Sequence, residues 1–529
     1  MIYRIPNILL ALIGSILLSL SWFAPFTFLI FIAFVPLLIL EDKLSNSLSN
    51  KKHLHLVWLS YATFLIWNLL VTWWIYFASF GGAAMAILCN SLLMSMVFMI
   101  WHRLKTRVNK SWAIWLLIPI WLGFEYGHTL WDLTWTWLTL GNVFAFNHYW
   151  VQWYEYTGTS GGSLWVLISN ILIFEAIKSP KFDFKAILKP TIVIILPIAI
   201  SLIILSQKHN STKAEKSYNT LVVQPNVDPY NEKFYLEPAI QLQNLLQQIK
   251  GKINANTDFL VLPETFLTEN IFEGRENESF SFNFLKDSLL NKYPNLTIIT
   301  GANTIYAYPA NEKPSATARK FSDADLYYDA YNTGIQLNKD GFKYYHKSKL
   351  VPGVEKMPFP IIFKHLENLA INLGGTSGSL GTQSERTVFF NHNKQVGIAP
   401  VICYESVYPD YVGEYVRNGA NLIFIITNDG WWENTPGHKQ HLAYAKLRAI
   451  ETRCEIARCA NTGISCFINS TGDIEQATNY WEKAVIQKNV IPNSQKTFFV
   501  QFGDLISYSS SFLAIALFIW SQILRFKKS

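Results

Sequence analysis

Val396–Glu405 reads VGIAPVICYE, an apolar run that closes on a thiol, a phenol and a carboxylate. Its length and composition predict a buried strand over Val396–Ile402, with Cys403 at its end. Working outward, short apolar runs predict further strands at Thr220–Gln224, Phe259–Leu262, Leu296–Thr300, Tyr331–Leu337, Thr387–Asn391, Leu422–Thr427, Glu455–Ala460 and Ile464–Asn469. Helical periodicity runs through Pro238–Ile253, where Ile240, Leu245, Leu246 and Ile249 share a side, and through Gly437–Arg453. Strands that interleave with helices make an α/β domain whose sheets are covered.

That pattern is confined to part of the chain. Half of the 529 residues are hydrophobic and only 15% are charged, less charge than soluble domains of this size carry. The mean hydropathy is +0.17. Long apolar runs dominate up to residue 206, and a polar link, Gln207–Ser217, leads into the α/β region. Runs fit to cross a membrane lie at Pro6–Phe23, Phe26–Leu40, Leu56–Phe80, Ala84–Trp101, Trp112–Gly127, Gly161–Ile177, Ala186–Leu205 and Ser510–Leu524. The predicted organisation is therefore a seven-helix membrane domain (1–206), a globular domain (207–509) and an eighth helix with a short tail (510–529). The first run lacks a small-residue cleavage site and a second follows at once, so it is read as retained.

Charge orients the spans. Arg4 precedes the first; Lys43, Lys51 and Lys52 follow the second; Arg103, Lys105, Arg107 and Lys110 follow the fourth; Lys178, Lys181, Lys185 and Lys189 surround the junction of the sixth and seventh; Arg525, Lys527 and Lys528 follow the last. The loops between, including all of Thr129–Ser160, hold no Lys or Arg. Both termini are then cytoplasmic and the globular domain extracytoplasmic. The same distribution accounts for the net charge of +7 without a nucleic-acid partner. Trp131, Trp135, Trp137, Trp150, Trp153 and Tyr154 crowd one outward segment as an interfacial aromatic belt.

Three segments of the globular domain place a reactive residue at a strand end. Glu264 follows the apolar run of DFLVLPET (Asp258–Thr265), where burial and neighbours can tune a carboxylate into a general base. Lys347 and Lys349 in YHKSKLVPGVEKMP (Tyr345–Pro358) offer a cation, with Glu355 as its partner. Cys403 becomes a nucleophile if a base or a positive charge stands beside it. Each has a plain structural reading on its own: a capping acid, a solvated lysine pair, a core thiol.

Together the three, in this chain order, resemble the nitrilase or carbon–nitrogen hydrolase superfamily, and with the membrane layout they resemble its apolipoprotein N-acyltransferase family. The resemblance implies an α-β-β-α sandwich for the globular domain. It implies Glu264 as base, Lys347 rather than Lys349 as the catalytic lysine, and Cys403 as the nucleophile. Glu355, Tyr404, Glu405 and Trp431 match supporting residues, and so do TNDGW (Thr427–Trp431), His441, Arg448, Glu451 and ANTG (Ala460–Gly463). The family's VPFGE is VPGVE here, and Phe234 stands where an early Trp is expected. The implied reaction passes an acyl chain from a phospholipid, phosphatidylethanolamine by resemblance, through a Cys403 thioester to the N-terminal amine of a diacylglyceryl apolipoprotein, in a bacterial inner membrane and with no cofactor. A membrane-anchored amidase that passes the acyl group to water uses the same residues. A transporter is disfavoured, because the runs hold few ionisable residues beyond Glu125 and Glu175.

His438 and His441 are spaced for one helix face, but no third ligand accompanies them, so no metal is expected. Cys454, Cys459 and Cys466 are core thiols or include a disulfide, and Cys89 packs within a span. Phe266, Leu267, Ile271 and Phe272, with Phe359, Ile361, Ile362 and Phe363, are candidates for apolar arms that enter the outer leaflet, or for internal core.

Overall fold

The computed structural model describes residues 2–179, 184–209, 216–233, 235–356 and 379–526. The chain divides into two units, Met1–Tyr76 with Phe80–Ser211 and Phe502–Ser529, and Phe77–Ser79 with Thr212–Gln501.

The first unit is helical. Among the described residues six helices are long and apolar enough to cross a membrane: Ala24–Ser45, Lys52–Thr72, Phe80–Val108, Tyr154–Lys178, Lys185–Lys208 and Leu505–Ile523. The other two apolar runs give shorter elements. Asn7–Ser21 has 15 residues, roughly 22 Å at 1.5 Å per residue. Trp112–Gly127 divides into a 3-10 turn, Ser111–Leu116, and an α-helix, Leu117–Gly127. Ala24–Ser45 is itself a 3-10 segment, Ala24–Phe31, followed by an α-helix, Val35–Ser45. Pro25 and Pro36 stand in the first turns of the two pieces, where a residue without an N–H starts a helix and cannot continue one. Trp137, grouped by sequence with the interfacial belt, is buried against Trp74, ring centroids 4.9 Å apart.

The basic clusters of this unit meet buried acids at one end of it. Glu41 accepts from His102 at 2.8 Å and pairs with Lys105, while Asp42 pairs with Lys178 at 2.6 Å and accepts from Tyr3 at 2.7 Å. Lys43 donates to the Ile5 carbonyl at 2.8 Å. The chain start and the ends of Val35–Ser45, Phe80–Val108 and Tyr154–Lys178 therefore lie together. Phe518, Ser521 and Gln522 of the last helix line a cavity with Arg103 and Arg107, which brings that helix's far end to the same side.

The second unit holds two sheets. The first contains β1 (Tyr218–Gln224), β2 (Phe259–Val261), β3 (Leu267–Phe272), β4 (Thr297–Ala307), β5 (Arg319–Lys320), β6 (Tyr327–Asn338), β7 (Gly341–His346) and the last strand of the unit, Ala484–Val490. The second contains β8 (Phe389–Phe390), β9 (Gly397–Ile402), β10 (Leu422–Thr427), β11 (Ile456–Ala460), β12 (Cys466–Ile468) and β13 (Ile474–Glu475) in that spatial order. Strands β1, β2 and β4 run parallel, as do β9, β10 and β11. Their unbroken apolar sequences follow from burial on both faces; every residue of β9 and β10 is buried.

Phe259 and Phe424 meet edge to face between the sheets, centroids 5.2 Å apart. On the outer face of the first sheet, Leu242, Leu245 and Ile249 of the helix Pro238–Ile249 pack on Leu221, Val223, Leu260 and Leu262. The helices Pro409–Arg417 and Pro436–Thr452 are the crossovers that return β9 to β10 and β10 to β11, and they cover the second sheet. The layers run α, β, β, α.

One expectation is corrected. Phe266, Leu267 and Ile271 are not a lipid-facing arm: β3 pairs with β4 and buries all three in the core, leaving only Phe272 exposed. The second proposed arm, Phe359, Ile361, Ile362 and Phe363, lies outside the described residues, as does Phe234. Cys454, Cys459 and Cys466 are buried free thiols, and Cys459 donates to the carbonyls of Val223 and Val261.

Candidate active site

Three strand ends converge. Glu264 follows β2 after Pro263, Lys347 follows β7 directly, and Cys403 follows β9 directly. Lys347 Nζ donates to Glu264 Oε1 at 2.9 Å and to Glu355 Oε1 at 2.8 Å. Asn332 Nδ2, on β6, bridges the same two oxygens at 2.8 and 3.0 Å. Glu355 Oε2 accepts from the Val351 backbone N–H at 2.8 Å, so the VPGVE loop folds back and brings its carboxylate onto Lys347. Lys349 is turned elsewhere, its ammonium over the Tyr408 ring at 5.0 Å.

Burial and charge set the protonation states. Burial alone would push the Glu264 carboxyl up, but Lys347 beside it, with the hydrogen bonds of Lys347 and Asn332, carries it below the usual carboxylate value. Burial would likewise lower the Lys347 ammonium, and Glu264 with Glu355 hold it well above its ordinary value instead. The Cys403 thiol is raised by burial first and by Glu264 second, against the pull of Lys347. At neutral pH the group is a carboxylate, an ammonium and a protonated thiol.

The backbone is shaped to present these groups. Cys403 and Thr265 both have left-handed φ, +49° and +46°. Such a conformation costs a non-glycine residue roughly 1–2 kcal/mol and turns the chain sharply at each strand end. Gly301 on β4 faces the base: a Cβ there would stand 2.4 Å from the Thr265 nitrogen and 2.7 Å from the Glu264 Cα. Only a residue with no side chain lets β2's extension pass so close.

The remaining residues hold the frame. Glu405, fully buried, accepts from Ile402 N at 2.9 Å, Ser348 N at 2.8 Å, Tyr345 OH at 2.6 Å and Tyr411 OH at 2.7 Å. Ile402 and Ser348 adjoin Cys403 and Lys347, so one carboxylate ties the thiol's strand to the lysine's strand. Arg448 donates to the carbonyls of Ser406 and Val407 at 3.3 and 3.0 Å while paired with Glu451, which clamps the turn after Cys403. His441 lies 3.1 Å from the Cys403 carbonyl and 3.0 Å from Asp429 Oδ1, and Asp429 Oδ2 pairs with Arg458 at 2.5 Å. Tyr404 is buried edge-on to Tyr408. Trp431 lies edge-on to Tyr230, centroids 5.1 Å apart. His438 stacks on Tyr480 at 4.3 Å. Sequence reasoning missed Asn332, Arg458 and Lys233; the last is buried, with its ammonium on the Glu264 carbonyl and the Thr265 hydroxyl.

The chain matches two family models, "Carbon-nitrogen hydrolase" over residues 222–495 and "Apolipoprotein N-acyltransferase N-terminal domain" over residues 14–172. It is 29% identical over 461 residues to an apolipoprotein N-acyltransferase of Chlorobaculum tepidum, covering 85% of this chain and 84% of that one. It is 23% identical to that of Geobacter metallireducens over 95% of this chain and 92% of the relative. Among solved structures, Saccharomyces cerevisiae Nit3, of the nitrilase superfamily, matches 54% of this chain and 93% of its own at 18% identity and a TM-score of 0.37. With its second unit matched from β1 almost to its end, the chain belongs to the carbon–nitrogen hydrolase family, and within it to the acyltransferases of the apolipoprotein N-acyltransferase type.

Proposed function

We propose that Cys403 takes an acyl chain from a phospholipid as a thioester and delivers it to the N-terminal amine of a diacylglyceryl-cysteine lipoprotein. The observation that carries this is the buried Glu264–Lys347–Glu355 set at the strand ends beside Cys403. Glu264 removes the thiol proton as Sγ attacks the ester carbonyl. Two of the three Lys347 N–H groups are given to carboxylates, and the third is left for the oxyanion. A donor aimed there contributes about 3–4 kcal/mol. Glu264 then protonates the leaving lysophospholipid oxygen. In the second half, Glu264 takes a proton from the attacking amine and returns it to the departing Cys403 sulfur, which leaves an amide and the resting thiol. Tyr404, Glu405, Trp431 and Phe234 take positioning roles, Glu405 as the brace between the two strands, and the reaction needs no cofactor.

The setting of the reading is a bacterial inner membrane with eight spans, both termini cytoplasmic and residues 207–509 periplasmic. The clustering of Arg4, Lys43, the 103–110 basic run and Lys178 on one side of the sequence's alternation supports that orientation, as does their meeting with Glu41 and Asp42 at one end of the first unit. Phosphatidylethanolamine is the donor the family implies.

Intact-protein mass spectrometry after incubation with phosphatidylethanolamine vesicles tests this. An acyl mass on the Cys403 peptide, discharged by a diacylglyceryl-cysteine peptide and stable to water, is the expected result. An adduct discharged by water alone would instead identify an amidase-like hydrolase. No adduct would remove the thioester.

Gly301→Ala probes the positioning of the base. The new methyl must displace the Glu264–Thr265 backbone. A shift on the order of 1 Å costs about 10²-fold in rate, and overpacking costs about 1–3 kcal/mol of stability. Thioester formation at parental rate in a folded Gly301→Ala protein would contradict the close approach.

A further inference from the structure

The Glu264–Lys347–Glu355 set is one positive charge short of neutral. Lys347 stands against Glu264 and Glu355, one cation to two carboxylates, in a region where Lys347 is almost wholly buried. A buried net charge is costly, and the imbalance persists through the reaction, because moving the thiol proton to Glu264 only relocates the negative charge to the oxyanion. The missing cation is Lys233. Lys233, on the loop that leaves β1, is 4% exposed. Its Nζ donates to the Glu264 carbonyl at 3.4 Å and, closely, to the Thr265 hydroxyl. Lys347 thus grips the carboxylate of the base, and Lys233 grips its backbone and the strained residue after it. The loop is fixed from its own side: Lys233 N donates to the Asp228 carbonyl at 2.9 Å, and Asn461 holds Val227 through both its backbone groups.

We propose that Lys233 is a positioning residue of the reaction centre, the second cation that balances Glu264 and Glu355 and that keeps Glu264 ionised and aimed at Cys403. The proposal rests on Glu264 serving as the base for Cys403. The titratable groups that face Lys233 are Glu264 from the end of β2, Cys403 from the end of β9 and Lys347 from the end of β7, with Glu232 and Asp228 on its own loop. Burial pulls its ammonium down to about 8, with Glu264 and Cys403 opposing and Lys347 assisting. It is therefore charged at neutral pH and loses its charge just above.

The consequence for pH carries a sign. Removing the Lys233 charge raises the Glu264 carboxyl, so the acid limb of Cys403 reactivity moves to higher pH.

The test uses the full-length protein and iodoacetamide, a probe that needs no acyl donor. The Cys403 sulfur displaces iodide, and its proton passes to Glu264. Alkylation of the Cys403 peptide is followed by mass spectrometry from pH 4 to 9 in parent, Lys233→Met, Lys233→Arg and Glu264→Gln, with thermal denaturation as the check on folding. Lys233→Met is expected to move the acid limb upward and so to slow alkylation up to about tenfold on that limb, since below the base's pKa a one-unit shift is a tenfold change in its ionised fraction. Lys233→Arg is expected to restore the parental acid limb, because a guanidinium supplies the same charge. A Lys233→Met profile that matches the parent overturns the proposal, and so does a Lys233→Arg protein no better than Lys233→Met. Should Lys233→Met not fold, Lys233→Gln takes its place, and an acid limb at the parental position overturns the proposal. Glu264→Gln alkylated at parental rate would sink the base assignment itself, a separate failure.

Discussion

Glu264→Gln should leave Cys403 in place and slow thioester formation by about 10²–10⁴-fold, the range general-base catalysis supplies. The size follows from the state of the thiol. Many catalytic cysteines hold a preformed thiolate beside a cation, and losing a base then costs little. Cys403 is the opposite case: burial and the Glu264 charge keep its proton on, so attack waits on transfer to the carboxylate. Glutamine keeps the shape and the hydrogen bond from Asn332 but accepts no proton. Lys347 retains Glu355, so the substitution does not strand a buried cation. Because the folded Glu264 carboxyl lies below its ordinary value, the parent should retain thioester formation down through the usual carboxylate range and lose it only below. Single-turnover accumulation of the acyl adduct, with Cys403→Ala as the blank, measures both points. A Glu264→Gln rate within a fewfold of the parent would mean that Cys403 is ionised by something else.

How much of this could be read from the sequence depends on what each residue does. Glu264 and Cys403 were legible because each closes an apolar strand, whereas Lys347 follows a polar, partly exposed one and was chosen over Lys349 by the resemblance. Glu355 lies in a loop with no periodicity, so the residues offered it only as a partner for a lysine, and the resemblance gave it a functional role. Asn332 was hidden inside an expected strand, where one polar residue among alternating positions reads as a solvent-facing one. Lys233 sat beside Glu232 in a polar loop, indistinguishable from a solvated lysine until the fold closed over it.

The strands β9, β10 and β11 emerged within a residue or two because full burial on both faces demands unbroken apolar sequence. β3 did not: Thr268, Glu269 and Asn270 stand together between Leu267 and Ile271, so no period-2 pattern marks a strand. Hydropathy also measures apolarity and not helical continuity, so the run Phe26–Leu40 divides ahead of Pro36, and the single apolar run Trp112–Gly127 tightens into a 3-10 turn before its α-helix.

The last prediction concerns a charge that does no chemistry. Asp429, at the end of β10, is fully buried with Arg458 from β11 on one oxygen and His441 and the Thr427 hydroxyl on the other. Burial pushes its carboxyl up, but Arg458 first and His441 second override it and hold it far below the usual range. Asp429→Ala leaves the Arg458 guanidinium buried without its counter-ion, a loss of about 3–5 kcal/mol. In a unit of this size that is roughly a 10 °C fall in the melting temperature. A folded-state value below the unfolded one means the pair stabilises above the ordinary aspartate value of about 4 and that this stabilisation is lost as pH falls through the folded value. Acid should therefore destabilise the parent more than it does Asp429→Ala. The double variant Asp429→Leu with Arg458→Met removes both charges and should recover most of the lost stability, since apolar pairs replace buried ion pairs at little cost. Its activity should nonetheless stay low. His441, which reaches the Cys403 carbonyl and Ser406 from the same network, loses the partner that orients its ring. If the double variant is no more stable than Asp429→Ala, the stranded guanidinium is not the cause of the loss. If it regains full activity as well, the Asp429–His441 link has no part in placing Cys403.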